Sequence, residues 1–456
     1  MESNTQPTQS GERMSQGLNG VRERARKNQQ ERFTALLHPV NVELLRESYY
    51  GLKRKAAPGV DGMTWKEYET GLEDRLQDLH GRVHRGAYRA QASRRIYLPK
   101  ANGKQRPLGI AALEDKIVQS AVVTVLQQIY EEDFRGFSYG FRPGRSQHGA
   151  LDALYVGIRG KKVNWILDMD LKGFFDNIDQ EHLLEMIERR IADTRILRLI
   201  RKWLNAGIIE HGEWSEPEKG TPQGAVISPL LANLYLHYVL DQWTDQGRQT
   251  AQGDVIIVRY ADDAVLGFQH RYEAEKFLKD LREQLGKYGL ELNEDKTRLI
   301  RFGRFARQNR DERGEGKPES FTFLGLQHIC AENSLGRFEV RRITDGDRRR
   351  KKLQEIKQKL RQRMHDPAAQ VGGWLRSVLT GYYQYHAVPG NLSVLSRFRR
   401  QVARSWFHAL EQRSQRRPTW EKLGKLFDQW LPVPHVVHEF PDARFHASRR
   451  AAAHPK

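Results

Sequence analysis

The sequence of 456 residues contains one cysteine and no long apolar run. The single cysteine, Cys330, excludes intramolecular disulfides and any zinc site built from cysteines, so a reducing cytoplasm is the expected location. No segment approaches the roughly 18 consecutive apolar residues of a membrane span, and the N-terminus lacks the apolar core of a signal peptide. These absences predict a cytoplasmic protein without a membrane partner.

Negative charge is also in short supply. Lys and Arg number 76 against 57 Asp and Glu, which gives a formal net charge of +19. Such an excess favours a polyanionic partner, either a nucleic acid or an anionic membrane surface. The membrane surface is the weaker alternative, because no basic amphipathic helix stands apart from the folded pattern.

Large apolar residues are almost absent from residues 1–30, which are rich in Ser, Gln, Asn, Gly and charge. This composition predicts a disordered tail. Past Gly325 the sequence predicts long basic helices, of which the first carries the run from Arg348 to Arg363. A charge run is usually a solvated helix face, and a helix that grips a nucleic-acid duplex is the alternative.

Two adjacent acids, Asp262 and Asp263, follow Tyr260 and Ala261 between the β-prone runs 255–258 and 264–268. Two extended runs joined at a short polar turn predict a β-hairpin with both carboxylates at its tip. Crowded acids without a partner are costly, and hard oxygen ligands suit a divalent cation such as Mg²⁺. A solvated acidic turn is the alternative for any lone Asp-Asp pair.

A second acidic segment lies upstream, where a β-prone run at 165–167 leads into Asp168 and Asp170. Strand alternation places these two carboxylates on one face. The spacing from Asp170 to the aromatic Phe175 and on to Asp176 resembles polymerase motif A, in which the aspartate binds metal. By that match Asp170 is the ligand and Asp168 a neighbour. With the acids of the hairpin it would complete a cluster for two metal ions roughly 3.5–4 Å apart.

Further sequence blocks surround these motifs in a definite order. They include Tyr-Gly-Phe-Arg-Pro-Gly-Arg-Ser at 139–146 and Gly-Thr-Pro-Gln-Gly at 220–224, and the others occupy 56–62, 98–110, 292–297, 321–325 and 381–385. Taken together, the blocks resemble bacterial group II intron reverse transcriptase/maturases, from about Arg32 to Phe445.

The resemblance implies an α+β right-hand polymerase, with fingers and a split βαβ palm followed by a helical thumb. The predicted divisions are a disordered tail at 1–30, fingers at 31–160, a palm at 161–335, a helical thumb or maturase domain at 336–430 and a basic tail at 431–456. Many relatives end in a zinc-dependent HNH nuclease. The sequence after Trp430 has no cysteine pairs, so it resembles the subgroup that lacks this nuclease.

The resemblance also assigns roles to individual side chains. It implies that Asp170, Asp262 and Asp263 hold two Mg²⁺ ions, with Mn²⁺ as an alternative, and that Lys296 protonates the leaving pyrophosphate. The implied nucleotide-binding residues are Lys100, Arg106, Leu171, Phe175 and Gln223. The implied primer and template contacts are Tyr260, Ala261, Phe323, Leu324, Gly325, Arg142 and Arg145.

Several of these roles compete with a plainer alternative. Lys100 and Arg106, the two cations of the predicted fingers, either close on the triphosphate or form a surface basic pair. Phe175 is either a steric gate against a 2′-hydroxyl or a core residue, because Phe174 lies beside it and only one can face the site. Lys296 is either a general acid or a surface lysine. Arg142 and Arg145 either touch the template or brace the fold.

The implied function is an RNA-directed DNA polymerase in a bacterial cytoplasm that also binds group II intron RNA as a maturase, assisting splicing and retrohoming. Its partners would be the intron RNA, an RNA template with a DNA primer, target DNA and deoxynucleoside triphosphates. The oligomeric state stays open, with a dimer as one alternative. Two functional alternatives are a stand-alone reverse transcriptase in phage defence or DNA repair, and an RNA chaperone with a vestigial polymerase site. The intact carboxylates argue against the chaperone.

Overall fold

The computed structural model describes residues 9–99, 105–210, 213–215, 220–221, 224–413 and 419–453. The described helices are α1 (Gln9–Lys27), α2 (Val42–Gly51), α3 (Trp65–Glu69), α4 (Leu72–His84), α5 (Leu113–Asp133), α6 (Gln147–Gly160), α7 (Phe174–Asn177), α8 (Gln180–Glu188), α9 (Thr194–Leu204), α10 (Ser228–Leu236), α11 (Gln242–Thr250), α12 (Arg271–Gly286), α13 (Ala306–Asp311), α14 (Gly346–Gln362), α15 (Ala368–His386), α16 (Leu392–Arg413), α17 (Trp420–Trp430) and α18 (Pro441–Ala453). A π-helical turn, His237–Asp241, joins α10 to α11.

The described strands are β1 (Ser93–Pro99), β2 (Gln105–Ile110), β3 (Trp165–Met169), β4 (Ile208–Glu210), β5 (Glu213–Ser215), β6 (Val255–Tyr260), β7 (Asp263–Phe268), β8 (Arg298–Arg301), β9 (Ser320–Phe323), β10 (Leu326–Glu332) and β11 (Phe338–Thr344). They form three sheets, in the orders β2-β1-β4-β5, β6-β7-β3-β8 and β11-β10-β9. Helices and sheets therefore mix along the chain, which confirms the predicted α+β class.

The central sheet has two buried faces, because its strands alternate. Leu167 of β3 and Leu266 of β7 join one apolar core, which also contains residues of α10 and α12. Ile166 and Val265, one residue along, join a second core with α6. The order strand, helices, hairpin, helix, strand is the split βαβ arrangement that the sequence predicts.

The N-terminal tail is a point at which the sequence prediction was wrong. Residues 9–27 of the supposedly disordered segment form α1, which packs on α5. Ala25 is fully buried, and both Arg22 and Arg26 pair with Glu132, at 2.6 and 3.0 Å. The few apolar residues of α1 are enough to hold it on α5 because Arg22 and Arg26 both bind Glu132 of that helix.

After β11 the chain continues as the helices α14 to α17, which share an apolar core of their own. This core contains Leu379, Phe398 and Trp406. Trp374, Val378 and Tyr382, which lie on one face of α15, pack against it. This face of α15 is therefore part of the packing of the helical region. The division of the chain into domains stays a prediction.

The predicted basic tail at 431–456 also contains ordered structure. Its helix α18 lies against α6, where the buried carboxylate of Asp152 accepts from Arg444 at 2.6 Å and from Arg342 of β11 at 2.9 Å. Arg159 of α6 pairs with Asp442 at 2.8 Å. The predicted basic tail thus binds α6 through two ion pairs, Arg444 with Asp152 and Asp442 with Arg159. Among the described residues, no helix is long and apolar enough to cross a membrane.

Candidate active site

The two acidic motifs meet because β3 and β7 are neighbouring antiparallel strands. Their register pairs Met169 with Ala264, so Asp170 follows β3 at the point where Asp263 begins β7. The hairpin β6–β7 closes between Tyr260 and Asp263, leaving Ala261 and Asp262 as a two-residue turn. Ala261 has a φ of 56°, a left-handed conformation that tightens this turn. The predicted hairpin and its convergence with Asp170 are therefore present.

The carboxylates crowd one another in a partly desolvated cleft. Asp263 opens to solvent, yet the surrounding protein raises its pKa to about 6, first through desolvation and then through the charges of Asp262, Asp170 and Asp168. Desolvation also raises the pKa of Asp262. Each carboxylate thus makes the ionisation of its neighbours more costly, and a cation would relieve this repulsion. Oxygen donors of this kind fit Mg²⁺.

Asp168 stands slightly apart from this group. Burial raises its pKa to about 6, although Arg298 of β8 lies 3.6 Å from its Oδ2 and opposes the rise. Arg298 thus already supplies a positive charge beside the Asp168 carboxylate. The assignment of Asp170 as the metal ligand and Asp168 as a neighbour stays a prediction.

The Asp170 carboxylate is held by two side chains from the segment before β8. Nζ of Lys296 lies 3.1 Å from Oδ1 and 2.9 Å from Oδ2, and Nδ2 of Asn293 donates to Oδ2 at 3.0 Å. Among the described residues, no group of three His, Cys, Asp or Glu side chains is arranged so that it could hold a metal ion. A metal ion at Asp170 would have to displace the Lys296 ammonium. Lys296 thus contacts Asp170 while its side chain stays 64% exposed, and its role as a general acid stays a prediction.

The hairpin formed by β1 and β2 carries a cation, Arg106, whose charge reaches the carboxylates. Arg106 lies on β2, opposite Leu98 of β1, and is exposed. Its positive charge, like that of Lys296, opposes the rise in the pKa of Asp262, so it acts on the turn between β6 and β7. Two other predicted nucleotide-binding residues, Lys100 and Gln223, lie outside the described residues.

The adjacent phenylalanines of α7 have different environments. Phe174 is 2% exposed and belongs to the core, whereas Phe175 is only partly buried and meets the Phe174 ring edge-on, at 5.3 Å between centroids. Of the two, Phe175 is the one with a free surface. Leu171, also predicted to bind nucleotide, has a buried side chain and pairs with Leu292 across a β-bridge. The Leu171 side chain therefore lies in the core, and only the Leu171 main chain can contact a substrate.

The predicted primer-contacting segment forms the tight turn between β9 and β10. Leu324 and Gly325 have φ values of 49° and 79°, the pattern of a type I′ hairpin turn, and Phe323 before them is buried. The hydroxyl of Tyr385 on α15 donates to the Leu324 carbonyl at 2.5 Å. Burial raises the pKa of Tyr385, the charge of Arg348 opposes this rise, and the proximity of Tyr260 adds to it. Tyr385 therefore binds this turn directly and is near enough to Tyr260 of the β6–β7 hairpin to sense its charge.

The two arginines of the 139–146 block have separate environments. Arg142 is buried, and its guanidinium donates to Glu131 and to the carbonyls of Arg135 and Ser138. The structure supports the bracing alternative for Arg142, because its buried guanidinium is bound to protein groups through all three of its nitrogens. Arg145 is partly exposed; it donates to the Gly136 carbonyl at 2.8 Å and lies over a tyrosine ring.

One structural residue of the site escaped the sequence analysis. Arg259 interrupts the apolar run of β6, and this interruption was the signal available in the sequence. Its fully buried guanidinium donates to the Ala261 carbonyl at 2.8 Å, to Asn233 Oδ1 at 3.0 Å and to Asp241 of the π-helical turn. Arg259 therefore fixes the carbonyl of the turn that presents Asp262 and Asp263.

Comparison with known proteins agrees with this geometry. The family model for the reverse transcriptase (RNA-dependent DNA polymerase) matches residues 98–328, which include all three carboxylates. Protein YkfC of Escherichia coli K12 is 37% identical over 314 residues, which cover 62% of this chain and 78% of YkfC.

Two further relatives carry intron-related names. Group II intron-encoded protein LtrA of Lactococcus lactis subsp. cremoris is 34% identical over 290 residues, which cover 61% of this chain and 47% of LtrA, about half of that protein. Nuclear intron maturase 4, mitochondrial, of Arabidopsis thaliana is 29% identical over 123 residues, which cover 26% of this chain and 15% of the relative. The chain belongs to the reverse transcriptase family, and within it to the group II intron reverse transcriptases and maturases.

Proposed function

We propose that this reverse transcriptase extends a DNA primer on an RNA template by a two-metal mechanism, with Asp170, Asp262 and Asp263 as the metal ligands. The observation that carries the proposal is the β3–β7 register, which brings the carboxylate after β3 beside the two at the hairpin turn. Divalent ions held there, Mg²⁺ or Mn²⁺, would activate the primer hydroxyl and neutralise the triphosphate.

The remaining roles follow from position around these carboxylates. Arg106 supplies a guanidinium to the phosphate oxygens of the incoming deoxynucleoside triphosphate. Lys296, already within 3 Å of Asp170, supplies a proton to the leaving pyrophosphate once it is released from that carboxylate. Phe175 limits the space at the sugar, and Tyr260 with the turn at 324–325 holds the primer end.

Primer extension on an RNA template tests the proposal. Asp262→Asn and Asp263→Asn should each lower the rate by roughly 100-fold or more while the thermal unfolding midpoint stays the same or rises, because a repelling charge is removed. Asp168→Asn is the matched control and should keep most of the activity, since Arg298 already pairs with that acid. Full activity in either hairpin variant would refute the metal assignment.

The proposal includes a second activity, the binding of group II intron RNA as a maturase, with target DNA as a further substrate. Its support is the basic helix α14, which buries only Ile356 and Leu360 and exposes most of its Lys and Arg residues. Polymerase chemistry does not require a cationic surface of that length. The name of LtrA, a group II intron-encoded protein, suggests the RNA.

A further inference from the structure

A second basic site lies at the opposite end of the palm sheet from the carboxylates. It is a cleft of about 530 Å³ between the segment that leads into α13 and the β10–β11 hairpin. The cleft begins at Gly303, just beyond β8, whose Arg301 pairs with Trp165 at the start of β3. Since Asp170 lies five residues further along, the cleft is roughly 17 Å away from it along the strand.

Four arginines line this cleft, and we call it the arginine cleft. They are Arg159, Arg304, Arg307 and Arg337, and the carboxylate in the lining is Glu332. Arg307 pairs with Glu332 at 3.2 Å, and Arg159 pairs with Asp442 at 2.8 Å. No described carboxylate forms an ion pair with Arg304 or Arg337. The cleft thus presents uncompensated positive charge, which an anionic ligand would neutralise.

An aromatic ring stands among these cations. Phe305 is 49% exposed, although it is large and apolar, and it follows Arg304 directly in the chain. An exposed ring beside guanidinium groups is the arrangement on which unpaired bases stack while their phosphates bind arginine. The volume lies within the range of roughly 300–1,000 Å³ for small-molecule sites, so it can hold one nucleotide unit. An acidic peptide would satisfy the arginines but would leave the ring unused.

We propose that the arginine cleft is a second nucleic-acid site, which takes an unstacked nucleotide of a single-stranded polynucleotide. The base lies on Phe305, and Arg304 and Arg337 bind the flanking phosphates. The site does not depend on metal binding by the carboxylates, and its distance from them allows a strand to bind there while a template–primer duplex occupies the polymerase cleft.

The test measures the affinity of the full chain for a fluorescein-labelled oligouridine of 12 nucleotides, in the presence of saturating unlabelled template–primer duplex. Phe305→Ala should weaken binding roughly 5- to 100-fold, the range for loss of one stacked base, and Phe305→Tyr should restore it. Arg304→Glu/Arg337→Glu should weaken binding and lower its salt dependence. Tyr272→Ala, which removes another exposed aromatic, is the matched control and should have no effect.

Cross-linking tests the position of the site, and competition by ATP tests whether the ligand is a polynucleotide or a mononucleotide. An oligouridine containing 4-thiouridine should cross-link to peptides from 303–308 or 330–338, and primer extension should be unchanged in the Phe305 and arginine variants. Equal affinity of wild type and Phe305→Ala, or cross-links confined to other regions, would overturn the proposal. Full competition by ATP, with no gain in affinity from a longer strand, would overturn the assignment to a polynucleotide and leave a mononucleotide site. Loss of polymerase activity in Asp262→Asn has no bearing on any of these results.

Discussion

Arg259 and Asp241 form a two-pronged ion pair in which both side chains are 1% exposed, with Nη2 2.6 Å from Oδ2 and Nε 2.7 Å from Oδ1. The remaining donors of Arg259 bind Asn233, Ser138 and the carbonyl of Ala261. Asp241 ends the π-helical turn, a local widening that is frequent near functional sites. The ion pair thus connects the π-helical turn to the β6–β7 turn, which carries the carboxylates that we propose as metal ligands.

Removing one partner of this pair should be costly. Arg259→Met leaves Asp241 buried without a counter-ion, and we expect the free energy of unfolding to fall by about 3–5 kcal/mol. Arg259→Met/Asp241→Leu should recover much of this loss, because no buried charge is then unpaired. Denaturant titration of the three proteins measures the difference. If the single variant is as stable as the wild type, the pair does not brace the turn.

The environments of Phe174 and Phe175 lead to opposite expectations for the same substitution. Phe175→Val should raise the incorporation of ribonucleotides relative to deoxyribonucleotides, because it opens space beside the sugar without emptying the core. Phe174→Val, the matched control, should lower stability by about 1–3 kcal/mol and leave the sugar preference unchanged. Primer extension with mixed nucleotides and thermal unfolding separate the two effects. An unchanged ratio in an active Phe175→Val protein would make this residue a packing residue.

The cations of α14 should contribute to RNA binding through phosphate contacts. Each contact adds roughly 0.7–0.9 to the magnitude of the slope of log K against log salt. Replacing Arg349, Lys352 and Lys359 with Gln should weaken binding across sequences and flatten this slope. Three exposed cations of α12, Arg271, Lys276 and Lys279, give a control of equal charge change. Equal slopes for both triple variants would mean that α14 is only a solvated face.

Splicing and polymerisation should be separable. Asp262→Ala/Asp263→Ala removes metal ligands but none of the basic surface, so this protein should still promote excision of its cognate intron at low Mg²⁺, where unaided RNA folding fails. A splicing time course compares it with wild type and with the α14 triple variant, which should be slower. Loss of splicing in the carboxylate variant with RNA affinity intact would contradict the separation.

Stability should fall at acidic pH through buried histidines, of which His328 is the clearest. It is fully buried and stacks on Phe321 at 4.8 Å, and its Nδ1 donates to the Leu326 carbonyl. Desolvation and the nearby Arg342 lower its pKa to about 3. The unfolded chain, with an ordinary histidine pKa near 6.5, binds the proton more tightly. His328 should therefore cost stability as pH falls from about 6.5 towards 3, by up to about 1.4 kcal/mol per pH unit.

The measurement is urea denaturation of wild type and His328→Phe at several pH values. The difference in unfolding free energy between the two should be constant above pH 7 and should change in favour of the variant below about pH 6. Other buried histidines, such as His148 and His237, contribute equally to both proteins and cancel in the difference. A difference that does not vary with pH would mean that the pKa of His328 is the same in the folded and unfolded states.

Local pattern predicted the catalytic hairpin well, because strand alternation and a short turn fix where the carboxylates of Asp170 and Asp262 point. It could not predict α1, since the partner that buries Ala25 is a helix about a hundred residues later. The partners of Arg142, in contrast, lie nearby in the chain at Glu131, Arg135 and Ser138, but no periodicity predicts the loop geometry that turns these groups towards its guanidinium. Side chains that act through distant partners carry no signal in their own neighbourhood.

The docking of α18 has a consequence for how this protein is made. Asp152 and Arg444 are 292 residues apart in the chain, and Arg342 is 190 residues from the same carboxylate. At a synthesis rate of roughly 5–20 residues per second, the ribosome needs on the order of 15–60 s to supply Arg444 after Asp152 has been made. During that interval Asp152 has water as its partner until Arg342 is made, and afterwards only one of its two arginines, so the side of α6 that α18 covers stays open to water until Arg444 has been made.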